Sequence, residues 1–187
     1  MKVRRIVTGR DRSGKAVFVA DCETPRAAKF KHVPGLAAAL LWETPPNLAL
    51  GTEGDPAETA CSWVPPAGGT NLMFVTFPPD SVMMSPGFDP AAAGAEYMQV
   101  LPGLAEKFEM DHPGMHTTDS VDYCVLLDGE IHLELDDGAT KKLAPHDVVI
   151  QNGTRHAWRN PGDKPATMLF VLVGATAPRT TAAGNSA

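Results

Sequence analysis

HTTDSVDYCVLLDG, residues 116–129, carries an imidazole, two hydroxyls and a carboxylate at alternate positions, followed by an apolar run and a turn. Side chains two apart on an extended chain project to one face. His116, Thr118, Ser120, Asp122, Cys124 and Leu126 are therefore expected to share a face, with Tyr123, Val125 and Leu127 on the other. Such a polar row does not suit a purely apolar interior, since each buried polar group without a partner costs roughly one to a few kcal/mol. It either faces water or forms a polar site. Past the Asp128-Gly129 turn, Ile131, Leu133 and Leu135 alternate with His132, Glu134 and Asp136, and Asp137-Gly138 has the composition of a tight hairpin turn.

A second stretch, DVVIQNGTRHAWRN at 147–160, places His156 forty positions after His116, and by the same alternation His156, Trp158 and Asn160 share a face. Apolar runs at 148–150 and 168–173 have strand length, separated by loops at Gly153 and at Asn160-Pro161-Gly162-Asp163. Upstream, 71–77 reads as a strand stopped by Pro78-Pro79, because proline cannot donate to a ladder. Residues 90–109 read as one short helix interrupted by Pro102-Gly103, and 3–20 as a hairpin about the polar turn 11–15. Short strands with Gly and Pro turns and no βαβ alternation predict an all-β barrel or sandwich. Residues 1–68 are expected to be a hairpin plus a Pro- and Gly-rich wrapping arm, 69–175 the barrel, and 176–187, small and polar, a disordered tail.

The two stretches resemble the paired motifs of the cupin superfamily. In the first motif Thr118 stands where a second His is usual, Asp122 where a Glu is usual, and Met110 where a Gly is usual. In the second, His146 replaces the opening Gly, Gln151 the usual Pro, and the interval is one residue shorter, while His156 and Asn160 keep their mutual spacing. The resemblance implies a jelly-roll-like cupin barrel, with an N-terminal extension and a short helix, that pairs as a homodimer. It also implies that these positions converge on a divalent metal ion, with Fe, Zn, Mn or Ni as the candidates. His116 and His156 would be imidazole ligands, Asp122 a carboxylate ligand, and His112 a further ligand if the Pro113-Gly114 turn folds it inward. Two His and one carboxylate form the facial set that leaves positions open on a metal.

The leading expectation is a metal-dependent enzyme, an oxygenase or a lyase or isomerase, acting on a small, partly apolar oxygenated substrate. Asp122 and His156 are the candidate catalytic residues, and Thr118, Ser120, Cys124, Trp158 and Asn160 the candidate substrate contacts. One alternative is a metal-free isomerase or dehydratase using Asp122 and His156 for acid–base chemistry. Another is a non-catalytic binding module. Arg155 and Arg159 should point away from the His156 face, and His32, His132 and His146 are given no role.

A net charge of -6 and a pI near 5.4 argue against a nucleic-acid partner, which needs a clustered basic surface. Three cysteines without C-x-x-C spacing favour a reducing cytoplasm, and no apolar run suits a leader or a membrane span.

Overall fold

A computed structural model describes residues 1–50, 54–59 and 62–176. The expected tail beyond Thr176 lies outside the described residues. Among the described residues eleven strands are formed: β1 (Arg4–Arg10), β2 (Ala16–Glu23), β3 (Arg26–Lys29), β4 (Ala37–Thr44), β5 (Thr70–Phe77), β6 (Ser120–Asp128), β7 (Ile131–Glu134), β8 (Thr140–Leu143), β9 (Val148–Asn152), β10 (Ala157–Arg159) and β11 (Ala166–Gly174). They make a six-stranded sheet in the order β3-β4-β5-β11-β6-β9, a three-stranded sheet β10-β7-β8, and a separate hairpin β1-β2, with every pairing antiparallel. Apart from short helices the fold is all-β.

One hydrophobic core joins the two larger sheets. Leu40, Met73, Leu126, Met168, Phe170 and Leu172 from the first meet Ile131, Leu133 and Leu143 from the second. Alternation on β6 and β11 produces this packing, since Ser120, Asp122, Cys124 and Leu126 face inward and every second residue of β11 is buried. Two turns place the three-stranded sheet, one within it and one leading into it. Asp137 and Gly138 both have positive φ, 56° and 70°, as the hairpin turn joining β7 to β8 requires. Gly129 (φ 86°) turns β6 into β7 where a Cβ would lie 2.6 Å from the Pro165 carbonyl oxygen and 2.8 Å from Ala166 Cα, so only glycine fits.

The segment read as a wrapping arm contributes two strands to the main sheet. In β4 the run Ala37 to Leu41 is buried at every position, and β4 pairs with β5 across residues 37–44. A strand covered on both faces has no alternation to reveal it, and alanine has little strand preference. The N-terminal hairpin forms as expected and is pinned to this sheet by Arg5. Its guanidinium donates to the Leu41 carbonyl at 3.0 Å and to both carboxylate oxygens of Asp55. Asp55 in turn accepts from the amide of Ala57 in the short helix α1 (Pro56–Thr59).

The expected helix over 90–109 is shorter. Helix α2 (Pro90–Val100) starts on an Asp89 cap that accepts from the amides of Ala91 and Ala92. It ends before Pro102-Gly103, and a single 3-10 turn follows at Ala105–Lys107. Gly103 at φ 84° breaks the helical path. No helix among the described residues is long and apolar enough to cross a membrane.

Candidate functional site

The backbone places the two imidazoles together. His116 and His156 form an antiparallel bridge, each amide donating to the other's carbonyl at 2.9 and 3.0 Å, and their ring centroids lie 4.2 Å apart. Both side chains are buried. His116 Nδ1 lies 3.0 Å from the Gly114 carbonyl oxygen, and His156 Nδ1 lies 2.9 Å from that of Thr154. A carbonyl only accepts, so each Nδ1 carries the proton and each Nε2 of the neutral ring presents a lone pair. Burial lowers the pKa of His116. Burial, and then the neighbouring His116, lower that of His156 to about 4.

Beside them on β6 runs a hydrogen-bonded polar row. Ser120 Oγ lies 2.9 Å from Thr118 Oγ1 and 2.6 Å from Asp122 Oδ1. With one hydroxyl proton, Ser120 donates to the ionised carboxylate and accepts from Thr118. Burial pushes the Asp122 carboxyl up to about 6, against the opposing effect of these hydroxyls. Cys124 shares the face, but burial raises its thiol far above the usual range, with the Asp122 charge adding to it. That leaves a small packed group rather than a nucleophile. Gln151 is in register with Asp122 on β9 and donates to Thr154.

Aromatic rings wall the pair. Phe108 lies 4.8 Å from His116 by centroids, and Trp158 stands edge-on to His156 at 5.9 Å. The row continues through Tyr97 to Phe30 on one side and through Phe170 to Phe77 on the other. Phe108 and Tyr97 carry no motif signal and were legible only as parts of a broken helical pattern, while Gln151 was legible only as a departure from the second motif, at the position of its usual Pro.

Two expected site residues do not join the group. His112 is surface-exposed and turned toward Glu109 and Asp111, at 3.4 and 3.2 Å, because the Pro113-Gly114 turn sends it outward. Asn160 is buried, but its amide is committed to the Phe77 and Lys164 carbonyls and the Gly162 amide, so it closes the 160–164 loop. The strand ends at Arg159, and alternation does not carry past it. Arg155 and Arg159 do point away from the pair, to Glu109 and Asp136 and to Glu134.

As a test of metal fit, the two imidazoles offer ready donors. Thr118 supplies only a hydroxyl where a third imidazole would sit, and Asp122 is bound to Ser120. Among the described residues, the one set of three His, Cys, Asp or Glu donors converging within 4.8 Å is the surface group Glu109, Asp111 and His112, where Glu109 already holds Arg155. The interior therefore supplies two protein ligands and not the three of a usual catalytic centre. Surface hollows lie elsewhere. One of about 390 Å³, lined by Met1, Lys29, Phe30, Gly35, Leu36, Ala37 and Thr76, shares no residue with the His pair.

Residues 97–172 match the family described as Cupin domain. Among curated proteins it is 56% identical over 62 residues to Phomopsin biosynthesis cluster protein C' of Diaporthe leptostromiformis, covering 33% of each chain. It is 36% identical over 87 residues to Oryzines biosynthesis cluster protein J of Aspergillus oryzae, covering 46% of this chain and 45% of that one. It is 28% identical over 170 residues to the cupin-domain-containing oxidoreductase srdB of Neurospora crassa, covering 90% and 72%. The chain thus spans about a third of the length of the phomopsin cluster protein it matches. Among solved structures, a putative ethanolamine utilization protein of Salmonella typhimurium aligns over 94% of this chain and 99% of its own, at 10% identity and a TM-score of 0.41. The DMSP lyase DddQ of Ruegeria pomeroyi aligns over 83% and 53%, at 13% identity and a TM-score of 0.41.

Proposed function

We propose that the chain is a cupin enzyme that moves protons on a small, partly apolar carbonyl compound, with His156 as base and Asp122 as acid. The observation that carries this reading is the fixed tautomer of the imidazoles. Each Nδ1 is bonded to a backbone carbonyl, so each Nε2 is an acceptor. His156, lowered to about 4, is neutral at ordinary pH, and Asp122, raised to about 6, keeps its proton in weakly acidic solution. Nε2 of His156 takes a proton from the carbon next to the substrate carbonyl. The released C–H electron pair becomes the C=C of an enol as the Asp122 proton passes to the carbonyl oxygen. Returning both protons completes an exchange. Where the carbon that loses its proton also bears a C=C, the enol is a dienol. Returning the O–H proton to Asp122 while His156 delivers its proton to the far carbon of that C=C then re-forms the carbonyl with the double bond moved next to it, an isomerisation. Ser120 and Thr118 hold the ionised carboxylate between steps, and Phe108 and Trp158 shield the imidazoles from water.

The test is incubation with a panel of small ketones, aldehydes and β-hydroxy carbonyl compounds in D₂O, following loss of the α-proton signals by NMR. Exchange that persists after exhaustive chelation and drops by about 10²- to 10⁴-fold in His156→Ala and Asp122→Asn supports the reading. Exchange unchanged in both variants rejects it. The rate should rise with pH through about 4, as His156 loses its proton, and fall through about 6, as Asp122 loses its own. A profile flat from pH 4 to 7 contradicts the assignment.

A second reading draws on the same fixed tautomer, because an imidazole whose Nδ1–H is held by a carbonyl is prepared to give Nε2 to a metal. The relative named as an oxidoreductase, srdB, adds to it. His116 and His156 would then be the protein ligands of a divalent ion, which would supply Lewis-acid or redox chemistry. Elemental mass spectrometry on untagged protein, reconstituted with Fe(II), Mn(II), Zn(II) or Ni(II), separates the two readings. Near-stoichiometric metal that is lost in both His116→Ala and His156→Ala makes the metal reading the better one.

A further inference from the structure

Asn71 is wholly buried as the second residue of β5, on a strand, where asparagine is disfavoured. Its Nδ2 donates to the Ser62 carbonyl at 3.2 Å, which leaves Oδ1 without a hydrogen-bond partner among the described residues. The sheet register places this acceptor. Leu172 of β11 is paired with Asn71 on one side and Asp122 on the other, and Gln151 lies across from Asp122. Residues directly opposed on neighbouring strands share a face, so Asn71, Leu172, Asp122 and Gln151 form one row across the interior. Strands lie about 4.8 Å apart, which puts the Asn71 and Asp122 backbones roughly 10 Å from each other across Leu172. The polar end of the interior thus extends two strands beyond the catalytic carboxyl and terminates in an unpaired acceptor. Leaving a buried acceptor unmade is costly, and retaining one in the row that holds Asp122 and Gln151 points to a donor that arrives from outside the chain.

We propose that Asn71 Oδ1 is a substrate-recognition acceptor, taking a hydrogen bond from a hydroxyl or N–H group at the end of the substrate remote from its reacting carbonyl. This rests on reading the polar end as the substrate pocket. The probes are a matched pair, 6-hydroxyhexan-2-one and its methyl ether 6-methoxyhexan-2-one, which differ only in whether the far end can donate. Dissociation constants would be measured by NMR titration for wild type, Asn71→Leu, Asn71→Val and His156→Ala.

Wild type is expected to bind the hydroxy ketone about five- to tenfold more tightly than the ether, with the ratio falling to about one in either folded Asn71 variant. A wild-type ratio of one, or a ratio that persists in the Asn71 variants, overturns the assignment and leaves Oδ1 to a structural water. The His156→Ala arm, read by α-proton exchange as well as by binding, separates this from the acid–base reading. If the ratio collapses on changing Asn71 while exchange ignores His156, the recognition role stands and the acid–base reading falls.

Discussion

Asp122 and Leu126 lie four residues apart on one face of one strand, and they belong to opposite regimes. At the Leu126 end, Ile131, Met168 and Ala166 are fully buried and satisfied by packing alone. At the Asp122 end, each side chain is fixed by hydrogen bonds, to the backbone in the case of His116, His156 and Gln151 and to neighbours in that of Thr118, Ser120 and Asp122. Between them Cys124, buried and protonated, marks the crossing. The contrast teaches that this interior is divided by function. One end supplies the cohesion that allows the other to keep a raised carboxyl and free imidazole lone pairs out of water.

The strongest way to break the contrast is to carry polarity into the apolar end. Leu126→Asp buries a carboxylate with no partner and is expected to cost more than about 4 kcal/mol, seen as loss of the cooperative urea transition. Leu126→Ala leaves only a cavity and should cost about 3 kcal/mol in the same measurement. The opposite change is expected to stabilise. Folding raises the Asp122 pKa, so its contribution is fully present below about 4 and is lost as pH rises through about 6. Asp122→Asn should therefore gain about 2 kcal/mol at pH 8 and nothing at pH 4, while losing exchange activity. His156 works in the other direction, its contribution being lost as pH falls from 6.5 through about 4. A destabilised Asp122→Asn at pH 8 would mean that the carboxylate's bonds outweigh its burial. The smallest effect belongs to the surface. Arg155→Ala removes partly exposed pairs with Glu109 and Asp136 and should cost less than about 1 kcal/mol, shrinking further in high salt.

The sequence was most readable where one face is wet and one dry. Alternation identified β6 and β7, an apolar run of strand length identified β11, and the row from His116 to Leu126 was assigned to its face from spacing alone. Where both faces are covered, as along Ala37 to Leu41, the pattern disappears and β4 passed for part of an arm. Parity misled at Asn160 because the strand ends one residue earlier, and proximity misled at His112 because a turn intervenes. Phe108 and Asn71 were beyond reach for a different reason. Phe108 meets His116 through an isolated bridge and Asn71 is aligned with Asp122 through two strand registers, and neither relation has a local signature.

The paired Nδ1–H bonds also make the site spectroscopically visible before any substrate is known. A ring N–H that is buried and bonded to a carbonyl exchanges slowly with solvent, so both protons should give resolved signals well downfield of the amide envelope at neutral pH. Since the centroids are 4.2 Å apart, each ring lies in the magnetic field of the other. A ligand, proton or ion reaching one Nε2 would shift both resonances together, giving two reporters for a single event.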